Sequence, residues 1–216
     1  MKKSYTTWDG KRGSPAQSHA WGAFGSASYG WGQLNEEQWK AWEVAAKEEK
    51  RRRRWPPGRR FTGQNLFTEI NYHQAFLGLP PFLHPPERPA LGLDHVGPLI
   101  ISGVGGGFAL KLGVPKAPAG HTLVFASPPC PAGRRVCRDC RFIGLLPAPE
   151  GGESEVTEMY LRKFGYIPAG SRIFIQTWQQ VDGWRAPFPT QTTAIVPGKP
   201  GTVARRRRRR ATGTAY

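Results

Sequence analysis

Three cysteines fall within one short stretch, Cys130-Pro-Ala-Gly-Arg-Arg-Val-Cys137-Arg-Asp-Cys140. Cys137 and Cys140 make a single C-x-x-C, a spacing that serves either a tetrahedral metal corner or a dithiol. Structural zinc takes four ligands, so a zinc site would have to draw on Cys130 and on His95 or His121 as well. Arg134, Arg135, Arg138 and Arg141 flank the thiols in sequence, and cations beside a thiol lower its pKa, favouring metal binding and oxidation alike. A second C-x-x-C is missing. Cys130, Cys137 and Cys140 therefore read first as ordinary loop or core cysteines, with a zinc site or a redox pair as the alternatives.

The second chemical signal is cationic charge. Lys50, Arg51, Arg52, Arg53 and Arg54 form one basic block with Trp55 beside it, and Arg205, Arg206, Arg207, Arg208, Arg209 and Arg210 form another, in a chain of formal net charge +16. Such runs repel themselves and stay solvated unless an anionic partner is present, and arginines that neutralise phosphates release counterions. Nucleic acid is the first partner this implies, with other polyanions behind it, and contacts of this kind carry no base information. Trp55 is a stacking candidate for a single strand. The bland alternative is a solvated tail.

Other patterns lead to bland readings. Ser102-Gly-Val-Gly-Gly-Gly107 lacks the third glycine of a dinucleotide fingerprint and the Gly-Lys-Ser/Thr of a phosphate loop, so it reads as a hairpin connection. Glu69 and His73 stand four apart on a helical pattern and could form an acid–base pair, but no nucleophile or metal triad accompanies them, and a surface hydrogen bond is the better reading. No catalytic residue is assigned, and a non-enzymatic protein is expected. Neither a secretory signal nor an apolar run of membrane-spanning length is present, so the expected place is the cytoplasm or a particle assembled there.

The elements that must carry these residues fall into two halves. Ser14-Pro15-Ala16-Gln17 has the chemistry of a capping box with Pro at the first helical position, and Ala20, Phe24, Ala27 and Trp31 follow at helical spacing, which predicts a helix over 15–31. Gly22, Gly25 and Gly30 weaken it. Asn35-Glu36-Glu37-Gln38 repeats the box, with Leu34 placed to staple against Trp39, and starts a helix reaching about Arg54 whose core side holds Trp39, Trp42 and Ala46. Thr62 caps a third helix with Leu66, Phe67, Ile70, Gln74 and Leu77 inward, and Gly78 and Pro80-Pro81 end it.

From about residue 90 the pattern turns to β. Runs at 98–102, 108–112, 121–125, 142–146, 172–178 and 192–196 are apolar or β-branched and bounded by Gly and Pro, while Val156, Tyr160 and Phe164 have the spacing of a short helix. The fold class expected is α+β: a flexible N-terminus (1–13), a three-helix module (14–81), a Pro-rich linker (82–97), an antiparallel β-sandwich (98–197) and a disordered Arg-rich tail (198–216).

The order Pro15-Ala16-Gln17, Phe24, Trp31, Leu34, Gln38, Trp42, Thr62-Gly63, Leu66-Phe67, Asn71 and Gly78-Leu79-Pro80-Pro81 resembles a group of small bacterial proteins, some of prophage type. In that group a helical module precedes a fibronectin- or immunoglobulin-like sandwich. Tyr160, Phe164-Gly165 and Gly170-Ser-Arg-Ile173-Phe174 also look like the group's later portion. The resemblance implies that fold and, as a function, part of a self-assembling phage-like particle or adhesion module; it implies no activity, and it explains neither the cysteines nor the arginine tail.

Overall fold

Local sequence chemistry sets the helix starts. In the structure, a computed structural model that describes residues 14–53, 60–91, 96–104, 107–137 and 139–197, all three N-terminal helices open with a reciprocal capping box. Ser14 and Gln17 close the box of α1 (Pro15–Trp31), Asn35 and Gln38 that of α2 (Glu36–Arg52), and Thr62 and Asn65 that of α3 (Gly63–Phe76). Each box satisfies two backbone N–H groups that the first helical turn leaves without partners. At the far end of α3, Gly78 takes the left-handed conformation (φ 71°), which turns the chain out of the helix.

These helices share one apolar cluster built on Leu34, Trp42, Ala46, Leu66, Phe67 and Ile70, joined by Trp184. Trp42 is wholly buried, meets the Phe67 ring edge-on at 5.2 Å, and donates its indole N–H to the Leu83 carbonyl at 2.9 Å. Helix α3 approaches α2 so closely at Gly63 that a Cβ there would lie 2.8 Å from the Glu43 backbone nitrogen. Two expected core residues stand outside: Phe24 is 56% exposed and Trp39 41% exposed. Ala23 and Ala27 take the buried side of α1, because small side chains permit the close packing that Phe24 would prevent. Trp39 instead lies against the Trp31 ring and donates its N–H to the Trp31 carbonyl.

The β portion contains β1 (Leu99–Val104), β2 (Gly107–Gly113), β3 (His121–Ala126), β4 (Arg141–Leu145), β5 (Glu153–Glu155), β6 (Arg172–Val181), β7 (Trp184–Arg185) and β8 (Thr190–Ile195), with α4 (Thr157–Phe164) between β5 and β6. One sheet has the order β1-β2-β5; the other runs β4-β3-β6-β7, with β8 also pairing β6. Strands β1 and β2 pair antiparallel from Leu99↔Leu112 to Val104↔Gly107, so the glycine stretch is a hairpin connection, with residues 105–106 outside the described ones. Residues of both sheets, among them Leu110, Leu112, Val124, Ile173 and Ile175, meet in a second apolar cluster with Val156 and Tyr160 of the α4 region. The chain is thus α+β with antiparallel sheets.

By contacts the chain divides into two units. The unit with α1, α2 and α3 also takes in residues 118–122 and 178–189, and the other holds 95–117, 123–177 and the remainder from 190. Within the helical unit, the hairpin of β6 and β7 brings Gly183 against Ile70, where a Cβ would come 2.5 Å from the isoleucine side chain, and its positive φ (76°) also requires glycine. The N-terminal segment 1–13 and the tail 198–216 lie outside the described residues.

Candidate functional site

The basic block at the end of α2 has two different kinds of arginine in it. Lys50, Arg51 and Arg52 occupy the last helical turn, where positive charge complements the helix dipole. Arg51 is exposed, and among the described residues Arg52 pairs with Glu48 at 3.3 Å, both side chains being more than half exposed. Arg53 is held differently. Its guanidinium forks onto Glu69 (3.1 and 2.9 Å) and its Nε donates to Glu49 at 2.5 Å, while its plane lies 5.6 Å from the centre of the Phe61 ring.

Glu49 is the anchor of this arrangement. Its carboxylate is 3% exposed and receives both Arg53 and Arg88, and Arg88 in turn covers the Trp184 ring at 5.0 Å. Burial alone would raise the Glu49 pKa, but hydrogen bonds from Arg53 and Arg88 outweigh it and hold the carboxyl below its ordinary value. Arg53 therefore serves the fold, and of the described block only Lys50, Arg51 and Arg52 are left to meet a partner. Arg54, Trp55 and Arg205, Arg206, Arg207, Arg208, Arg209 and Arg210 lie outside the described residues. The Arg53–Glu49 spacing of four was readable on the helix; Arg88, which completes the anchor from 39 residues away, was not.

The three cysteines come together. Cys130 and Cys137 are buried beside Phe174, and Cys140 packs against the same cluster. Cys130 is fixed by a two-way backbone bridge to Arg172 (2.9 and 2.7 Å), and its thiol lies 3.2 Å from the Pro128 carbonyl. Ser127, fully buried, ties the floor of the site: its backbone and hydroxyl both bond Phe174, and its carbonyl accepts the Tyr160 hydroxyl at 2.8 Å.

The electrostatics of this cluster reverse the effect expected of the neighbouring arginines. Burial, first, and the nearby Cys137 and Cys130 thiols push the Cys140 thiol up to about 12. Arg134 is engaged elsewhere, donating to the Val136 carbonyl and pairing with Asp139 at 3.8 Å. Burial and the same two cysteines also raise the Tyr160 hydroxyl above its ordinary value. Among the described residues, no three His, Cys, Asp or Glu side chains are grouped so as to hold a metal ion, and His121, a possible fourth ligand by sequence, is an exposed residue at the start of β3. His95 lies outside the described residues.

Neither family models, curated proteins nor solved structures match the chain.

Glu69 and His73 do not form the pair their spacing allowed. Glu69 accepts both terminal nitrogens of Arg53, and His73 is buried, with its ring Nδ1 2.7 Å from the Gly183 carbonyl. Burial lowers the His73 pKa more than that hydrogen bond raises it, so the ring stays neutral and donates. A groove of about 440 Å³ runs beside α1 and α3, lined by Phe24, Gln64, Thr68, Glu69 and Tyr72. Its carboxylate is the one Arg53 already holds. Among the described residues no helix is long and apolar enough to cross a membrane.

Proposed function

We propose that the protein is a non-enzymatic binding protein that holds nucleic acid through arginine–phosphate contacts without base specificity. The observation that carries this reading is charge: a formal excess of +16, concentrated in the block around Lys50–Arg54 and in Arg205–Arg210. An excess of this size raises the local concentration of polyanions and speeds their encounter. Arg51 and Arg52 support it from the described part of the chain, since one is exposed and the other is engaged there in a solvent-exposed helix pair that a phosphate can displace. In the account proposed here the folded units are the platform and the basic segments are the grip, located in the cytoplasm or in a particle assembled there.

Competition binding tests the reading. Labelled single-stranded and duplex DNA of unrelated sequences should bind with affinities within a few-fold of each other, as phosphate contacts dictate. A preference of a hundredfold or more for one sequence would require base readout and would refute the proposal.

A second reading is a subunit of a self-assembling, phage-like particle or adhesion module with a fibronectin- or immunoglobulin-like sandwich, as in the prophage-type proteins the sequence resembles. Two antiparallel sheets sharing one apolar cluster support the sandwich, and Trp21, Phe24 and Tyr29, 58%, 56% and 73% exposed on α1, support self-association. Light scattering at increasing concentration separates the two, because a chain that remains monomeric without nucleic acid counts against assembly.

A further inference from the structure

The cysteine cluster has a chemistry that phosphate binding does not use. We propose that Cys137 and Cys140 are a disulfide-forming pair, closed by exchange with a small disulfide such as oxidised glutathione, while Cys130 remains a thiol.

Three observations separate the roles. Cys130 has its partners already: the bridge to Arg172 fixes its backbone and the Pro128 carbonyl faces its sulfur. Cys137 is buried at 5% exposure, so a dissolved disulfide reaches Cys140 before it. Cys140 is only half-buried, and it packs against the cluster that holds Cys137. An S–S bond of about 2.05 Å requires the two sulfurs to approach each other within that cluster. Residues 131–136 and Asp139, all exposed, give the segment between Cys130 and Cys140 room to make it.

The reaction balances in two exchanges. Cys140 loses its thiol proton and its sulfur attacks one sulfur of glutathione disulfide, forming a mixed disulfide and releasing one glutathione, which takes up the proton. Cys137 then loses its proton, its sulfur attacks Cys140 Sγ, and the second glutathione leaves as a thiol. Two electrons pass from the protein to glutathione disulfide, and two glutathione thiols result. Burial and the neighbouring sulfurs keep Cys140 protonated at neutral pH, so the first exchange is slow there and gains tenfold in rate per pH unit. The same lack of thiolate stabilisation makes Cys140 a poor leaving group, so the closed disulfide resists reduction. It acts as a lasting clasp on this loop rather than as a turnover site.

The full chain treated with oxidised glutathione, quenched with acid, alkylated and digested with trypsin gives a direct reading. Cleavage after Arg134 or Arg135, Arg138 and Arg141 puts Cys137 in Val136-Cys137-Arg138 or that peptide extended by Arg135, Cys140 in Asp139-Cys140-Arg141 and Cys130 in a separate peptide ending at Arg134 or Arg135. The first two should appear as one disulfide-linked species, with Cys130 alkylated, and the rate of linkage should rise about tenfold per unit between pH 7 and pH 9. Cys137→Ser should stop at a glutathione adduct on Cys140. A linkage through Cys130, a stable glutathione adduct on the unsubstituted chain, or one bound zinc per chain that protects all three thiols would each overturn the proposal. The wild-type digest decides the matter even if the serine variant does not fold.

Discussion

Replacing Glu49 by Gln tests whether the end of α2 is held by its buried carboxylate. Glutamine has nearly the same shape, so the change removes charge and leaves volume intact. Two charge-assisted hydrogen bonds are weakened, those from Arg53 and Arg88, each worth roughly 1.5–3 kcal/mol. Part of this is recovered. Both arginines donate to the same oxygen, Oε1, so the amide oxygen still accepts them without the charge, Arg53 keeps its fork on Glu69, and Arg88 keeps the Trp184 ring. The two guanidinium side chains are 29% and 26% exposed, so water reaches them only in part, and the net loss should be about 3 kcal/mol, near the lower end for a broken buried ion pair. Urea denaturation at pH 7 measures it. The pH dependence gives an independent sign: the Glu49 pKa is depressed on folding, so its stabilisation is present above the ordinary carboxylate range and is lost as pH falls through the folded value. The wild-type advantage over E49Q should shrink below about pH 4. A loss under about 1 kcal/mol, or an advantage that grows in acid, would refute the buried-anchor account.

Two glycine substitutions should diverge in sign. Gly63→Ala forces a Cβ against α2 backbone and should destabilise by about 1–3 kcal/mol, whereas Gly22→Ala, in the same kind of helix but with nothing within 4 Å, should stabilise by about 0.5–1 kcal/mol; thermal unfolding reads both. His73, lowered in the folded state by burial, should stay neutral in an NMR imidazole titration where an unfolded histidine is half protonated. The corresponding stability is present above about pH 6.5 and is lost as pH falls from there through the folded value; a His73 that titrates at or above 6.5 contradicts the buried neutral ring.

What could be read from the sequence was local. The helix starts at Ser14, Asn35 and Thr62 follow from side chains three residues apart, and the left-handed stop at Gly78 follows from one residue type next to Pro80-Pro81. The strands were legible as apolar runs between Gly and Pro, except β5, whose Glu153–Glu155 has no apolar signal and is recruited by pairing with Lys111–Gly113, and the two-residue β7. Which aromatic faces inward was not legible. Periodicity nominated Phe24 and Trp39, but the fit of Ala23 and Ala27 and the Trp31 contact decided otherwise. At the cysteines, sequence proximity to arginine suggested a low thiol pKa. In the folded loop Arg134 pairs with Asp139 and the cysteines share one buried cluster, so burial and the nearby thiols win.

If arginine–phosphate contacts hold the partner, the salt dependence of duplex DNA binding must differ between the full chain and one ending at Val203. Six engaged arginines at 205–210 would contribute a log–log slope of roughly −5, so removing them should flatten the slope by about that amount and weaken binding at low salt by orders of magnitude. Equal slopes and equal affinities for the two chains would contradict the account.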